Sequence, residues 1–184
     1  MNIPIKYCTS ALSPELNDYY LEYGRFRSFG RHTFLLKAGD ICKHIYFVES
    51  GVLRCFHRKR GKEISSWFAQ EGDFCWSAES FLLQQEAREY IQVLDNAVVS
   101  YLSYAGLQCI CTDFPVFGML EKRVTQEHLF LCQQKMQAMW MQHSSAKLAW
   151  FVQQFPGLLG KVPGRHIASY LGITEVMLSR LLNA

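Results

Sequence analysis

Residues 164–183 read GRHIASYLGITEVMLSRLLN, and this run constrains the fold more than any other part of the chain. Two helices joined by a tight turn need a small residue where their backbones approach. They also need a glycine at the left-handed corner and apolar residues inward at fixed offsets. Ala168 suits the close approach and Gly172 the corner, while Ile167, Leu171, Ile173, Leu178 and Leu181 supply the buried set. Thr174 is placed to cap the second helix. The spacing therefore predicts a helix-turn-helix with no gap.

The outward positions of its second helix are then Thr174, Glu175, Val176, Ser179, Arg180 and Asn183. A recognition helix presents such positions to the major groove of duplex DNA. Arg180 has donors for a guanine edge or a phosphate, Glu175 can accept from cytosine, and Val176 can meet a thymine methyl. Thr174, with the helix N-terminus behind it, suits a phosphate. Charge points the same way. Residues 1–142 hold 15 Lys/Arg and 15 Asp/Glu, whereas 143–184 hold Lys147, Lys161, Arg165 and Arg180 against Glu175 alone. The whole formal excess of +3 lies in the last 42 residues, a neutral body with a cationic tail.

Upstream the texture is different. Ser13-Pro14-Glu15 reads as a helix start, with Leu16, Tyr19, Tyr20 and Tyr23 at helical spacing and Gly24 as its stop. From Arg25 to Ser103, short β-branched and aromatic runs alternate with turn signals about every ten residues, the rhythm of a sandwich or barrel. The expected strands are 26–29, 33–36, 44–48, 52–57, 63–68, 90–94 and 97–102. Turns are expected at Ala38-Gly39-Asp40, Ser50-Gly51, Arg60-Gly61-Lys62, Glu71-Gly72-Asp73 and Asp95-Asn96. A two-sheet jelly roll suits that count.

After Tyr104 the pattern turns helical. Phe114-Pro115 ends one short helix and opens a long one running to about Gln142, with Phe117, Leu120, Val124, Leu131, Ala138 and Met141 at threes, fours and sevens. Such a helix is longer than a small roll can cover. The expectation is that one part packs on its own roll and the remainder on a two-fold partner. A further helix follows at 144–154, then the break Phe155-Pro156-Gly157.

With 49% hydrophobic and 19% charged residues, the chain is neither disordered nor fibrous. The seven cysteines are scattered without C-x-x-C spacing, Cys109 and Cys111 being the closest pair; they read as reduced structural thiols. No run resembles a signal peptide or membrane span, so a cytoplasmic protein is expected. No phosphate loop, nucleophile elbow or H-E-x-x-H is present, which argues against an enzyme.

The order of parts resembles the cyclic-AMP receptor/fumarate-nitrate regulator (Crp/Fnr) family of bacterial transcription factors. Gly39-Asp40, Ile45-Tyr46-Phe47-Val48, Ser50-Gly51-Val52, Gly61-Lys62-Glu63 and Glu71-Gly72-Asp73-Phe74 look like its roll. Val162-Pro163, Ile167 to Thr174 and Leu178-Ser179-Arg180 look like its DNA-binding end. The resemblance implies an α+β chain in three parts: a cyclic-nucleotide-binding-like jelly-roll sensor at 1–113, a long dimerisation helix at 114–142, and a helix-turn-helix domain at 143–184. It also implies a homodimer in which a small-molecule effector in the roll changes the placement of two recognition helices. Candidate partners are double-stranded DNA, a second copy, an effector and RNA polymerase, with no membrane. Against the family's pattern, the chain stops at Ala184 just after the recognition helix, either naturally or by shortening, and a frayed last helix is expected.

Cyclic-nucleotide members carry a Gly-Glu pair after the Gly-Asp-Phe and a later Arg-Ser/Thr. Here the cassette reads Cys75-Trp76-Ser77-Ala78-Glu79-Ser80, then Ala87-Arg88-Glu89. The candidate effector residues are Trp76, Ser77, Glu79, Ser80 and Arg88. They do not support a cyclic nucleotide, and the effector is left unassigned. Phe74, Trp76 and Phe81 read more simply as core. Two rivals stand at this point. One is a ligand-binding or interaction module that has lost DNA binding. The other is a cupin-type metal enzyme built on His32, His44 and His57, with Glu49 and Glu63 beside turns. No metal site is assigned.

Overall fold

The computed structural model describes residues 25–183; the helix expected at Ser13–Tyr23 lies outside them. The first part is β. Strands β1 (Arg25–Phe29), β2 (Phe34–Leu36), β3 (His44–Lys59), β4 (Lys62–Gln70), β5 (Phe74–Cys75) and β6 (Tyr90–Ser103) hydrogen-bond in the order β1-β6-β3-β4, with β2 also on β6 and β5 on β3. β1 runs antiparallel to β6 with Phe26 opposite Ser100, and β5 antiparallel to β3 with Tyr46 opposite Cys75. Helix α1 (Ala78–Leu83) follows β5. Val48, Leu53, Ile91, Val93 and Val99 are fully buried, the inward positions of alternating strands.

Two expected turns are corrected. Ser50-Gly51 lies inside β3 and Asp95-Asn96 inside β6, so four expected strands are two long ones. The reason is that these signals mark a close approach of two neighbouring strands and not a reversal. Gly51 has φ +94°, and a Cβ there would stand 2.6 Å from the Cα of Ala97, so only glycine lets the strands pass. The Asn96 side chain accepts a 2.9 Å hydrogen bond from the Arg31 N–H, a polar residue serving a neighbouring loop.

Helices make up the rest: α2 (Tyr104–Asp113), α3 (Pro115–Met139), α4 (Ser144–Gln154), α5 (Leu158–Lys161), α6 (Gly164–Leu171) and α7 (Glu175–Leu182). The Ser103 hydroxyl caps α2 by accepting from the Gly106 N–H at 3.0 Å. Proline at the first position of α3 starts the long helix where the sequence predicts it. Its 25 residues give a rod of about 37 Å. It ends at Met139, three residues short of the expected Gln142.

Phe117, Val124 and Ala138 bury one face of α3. At about 100° per residue, Met119, Leu129, Phe130 and Met136 fall on the opposite side, and all are exposed, as is Trp140 just beyond the helix.

The described residues form two compact units, 25–55 with 68–122, and 56–67 with 123–183. The tip of the β3–β4 hairpin thus belongs with the C-terminal helices. No helix among the described residues is long and apolar enough to cross a membrane.

Candidate nucleic-acid interface and sensor residues

The helix-turn-helix is built as its residue pattern dictates. Ile167, Ala168, Leu171 and Leu178 are 2% exposed or less, and they close α6 against α7. Gly172 ends α6 at φ +64°, where a side chain would be strained and its Cβ would meet Met139. Ile173 and Leu181, expected in the buried set, are half-buried. Thr174 caps α7, its hydroxyl accepting from the Met177 N–H at 3.1 Å.

All six outward residues, Thr174, Glu175, Val176, Ser179, Arg180 and Asn183, are exposed. The Asn183 amide donates to the Ser179 carbonyl at 2.9 Å and covers one of the last carbonyls of the helix. Met177 and Leu182, apolar residues outside the expected outward set, are also exposed, at 40% and 51%.

The scaffold helix α6 is held from the other side by the β3–β4 hairpin. Ser65 Oγ donates to the His166 carbonyl at 2.9 Å, and the Ser65 N–H donates to Ser169 Oγ at 3.2 Å. The two hydroxyls are 2.9 Å apart, and Ser169 Oγ also reaches the His166 carbonyl at 2.8 Å. Beside them the Lys135 ammonium donates to the Ser66 carbonyl at 2.6 Å and stands 4.0 Å from the Tyr170 ring centre. Trp67 packs edge-on against His128 at 5.1 Å and Phe155 at 5.9 Å, and burial lowers the His128 pKa. None of this was legible from serines at positions 65 and 169, which resemble ordinary surface residues.

Electrostatics separate the two units. Residues 56–67 with 123–183 hold ten Lys/Arg and three Asp/Glu, net +7, whereas 25–55 with 68–122 hold eight and ten, net −2. Four of the ten cations are Arg58, Lys59, Arg60 and Lys62 on the hairpin.

The sensor candidates divide by depth. Trp76, Ser77 and Ser80 are buried at 8%, 3% and 1% exposure, and Ser80 Oγ accepts from the Cys42 N–H at 2.8 Å. Glu79 and Arg88 lie outside, their charged atoms 4.0 Å apart on side chains 61% and 83% exposed. Ser77 and Ser80 are thus structural partners of the core, while Glu79 and Arg88 form a solvated pair. Phe74 and Phe81 sit in aromatic contacts with Phe47 and Tyr104.

Two features of this unit were not foreseen. Arg54 on β3 is fully buried, a cation inside an otherwise apolar alternation from Val52 to Phe56. A cavity of about 460 Å³ opens against residues 35–46, with Asp40, Lys43 and His44 in its lining. Burial and then the Lys43 charge hold the His44 pKa down. Among the described residues, no group of three or more His, Cys, Asp or Glu is placed to hold a metal ion.

Solved structures share this architecture. FixK2 from Bradyrhizobium japonicum aligns with TM-score 0.76 at 16% identity, covering 87% of this chain and 83% of that one. A CooA mutant from Carboxydothermus hydrogenoformans aligns at 0.70 and 22% identity, covering 89% and 76%. CLP of Xanthomonas campestris, described as a c-di-GMP-responsive global regulator, aligns at 0.72 and 14%, covering 93% and 90%. No curated protein matches the chain by sequence. The chain has the fold of the Crp/Fnr transcriptional regulators. Within it, residues 26–113 match the cyclic nucleotide-binding domain model.

Proposed function

We propose that the protein is a DNA-binding transcriptional regulator of Crp/Fnr type, with α7 as its recognition helix. The single observation that carries this reading is the exposure of all six outward residues of α7 on a unit of net charge +7. In this reading 1–113 is the sensor, 114–142 the dimerisation helix and 143–184 the DNA-binding part. Arg180 and Glu175 read bases, Val176 meets a thymine methyl, and Thr174, Ser179 and Asn183 lie against the backbone or base edges.

The exposed apolar face of α3 supports pairing with a second copy. Two copies would present two recognition helices to half-sites one DNA turn apart, about 34 Å. The effector site is assigned to the cassette around α1. There the Glu79–Arg88 pair faces solvent beside the buried Trp76, Ser77 and Ser80, and a polar ligand would compete for its charges. Covalent continuity carries its influence onward, since β3, β4 and α3 each run from one compact unit into the other.

The experiment is duplex binding by fluorescence anisotropy on promoter fragments, wild type against Arg180→Ala. Wild type is expected to bind with an affinity that falls steeply with salt, and Arg180→Ala to lose about tenfold to a hundredfold with unchanged folding. An equal affinity for the two proteins would return the chain to an interaction module without base readout.

A further inference from the structure

Four cations crowd the turn that joins β3 to β4. Arg58, Lys59, Arg60 and Lys62 fall within five residues, and all of them are exposed together with His57 and Gly61. Arg58 is partly engaged, its guanidinium 3.3 Å from the Glu63 carboxylate and 6.0 Å from the Phe56 ring centre. Lys59, Arg60 and Lys62 have no ion-pair partner among the described residues.

The turn itself is a two-residue reversal with both central residues left-handed, Arg60 at φ +50° and Gly61 at φ +75°. Such a turn favours Asn, Asp or Gly at its first central position. An arginine there holds a charge at the tip of the hairpin against local conformational preference.

Five residues further on, Ser65 is bonded to His166 and Ser169 of the scaffold helix. At about 3.3 Å per strand residue the tip reaches some 16 Å from that anchor. The tip and α7 belong to one compact unit of net charge +7, and duplex DNA carries one phosphate charge per ~1.7 Å of axis.

We infer that the β3–β4 hairpin tip is a second DNA contact, in which Lys59, Arg60 and Lys62 bind backbone phosphates flanking the bases read by α7. This rests on the proposed DNA-binding function. The contact is sequence-independent, since lysine and arginine on phosphate carry position and affinity but no base information.

The test uses the full chain and two probes, a duplex selected by the wild-type protein and a random-sequence duplex. A triple variant, Lys59→Ser, Arg60→Asn and Lys62→Ser, keeps the turn, because Asn tolerates the left-handed region. A second triple, Arg25→Ser, Arg27→Ser and Arg31→Ser, makes the same change of net charge in the other unit. Dissociation constants are measured from low to high salt, with circular dichroism as the folding check.

The tip variant is expected to lower the slope of log K against log salt by two to three for each bound copy, about five for a dimer, at ~0.9 per phosphate contact, and to weaken both duplexes by the same factor. The Arg25/Arg27/Arg31 variant is expected to keep the wild-type slope. An unchanged slope in the tip variant would overturn the inference and leave an acidic protein as the partner of the tip. An equal loss in both variants would overturn it as well, reducing the effect to net charge. If the wild type bound neither duplex, the DNA-binding function itself would fail and this contact with it.

Discussion

The hydroxyls of Ser65 and Ser169 lie 2.9 Å apart although 104 residues separate them in the chain. Ser65 is 1% exposed, so the pair is shielded from water. Two hydroxyl protons serve three O···O contacts, because both oxygens also face the His166 carbonyl. The strand residue thereby takes hold of the helix that scaffolds α7, and it does so through polar groups whose loss leaves a buried partner unsatisfied.

Removing this hold should be visible as stability. Ser65→Ala is expected to cost about 1–2 kcal/mol in urea unfolding, and Ser169→Ala a similar amount. In the double variant the losses should fall short of additive by roughly 1 kcal/mol. Strict additivity would show that the two hydroxyls do not act on each other.

Glycines with positive φ should separate by what surrounds them. Gly61→Ala meets open space, so only the left-handed strain applies, about 1 kcal/mol. Gly51→Ala drives a methyl into the backbone at Asn96 and Ala97, and should cost several times more or prevent folding. Thermal unfolding of the two variants side by side decides it.

Asp73 should make stability depend on pH. Burial raises its pKa from 3.8 to about 6, partly opposed by the hydrogen bond it accepts from the Gln70 N–H. A carboxyl whose folded pKa is raised contributes stability that is complete below 3.8 and lost as pH rises through about 6. Asp73→Asn should therefore match wild type near pH 4 and exceed it at pH 7 by up to about 3 kcal/mol. Urea midpoints at the two pH values give the sign directly.

Pairing through α3 should respond to charge on its exposed face. Phe130→Asp with Met136→Asp is expected to turn a dimer into a monomer in sedimentation velocity. Two-fold pairing introduces each change twice, so apolar losses of about 2 kcal/mol per side chain are doubled. A wild type that sediments as a monomer at all concentrations would refute the pairing.

Much of the fold was readable because local chemistry and global packing agree. The break at Phe114-Pro115, the αL glycine at Gly172 and the Thr174 cap are each decided within a few residues, and the structure keeps them. Ser50-Gly51 and Asp95-Asn96 misled because a glycine required by close approach and a polar pair reaching a neighbouring loop look the same in sequence as a chain reversal. Trp76 and Arg88 show the same limit in the sensor unit. Both lie in one cassette of the sequence, yet one is buried and the other almost fully exposed.

Sequence alone determined the order of parts, strands then a long helix then a helix-turn-helix, since periodicity, caps and breakers act between near neighbours. It also located a cationic excess of +3 in the last 42 residues. Only the tertiary structure decided that the hairpin at 56–67 joins those helices, raising the charge of that unit to +7 and setting Ser65 against Ser169. Contacts between residues a hundred positions apart depend on how whole elements pack, and no local pattern encodes that.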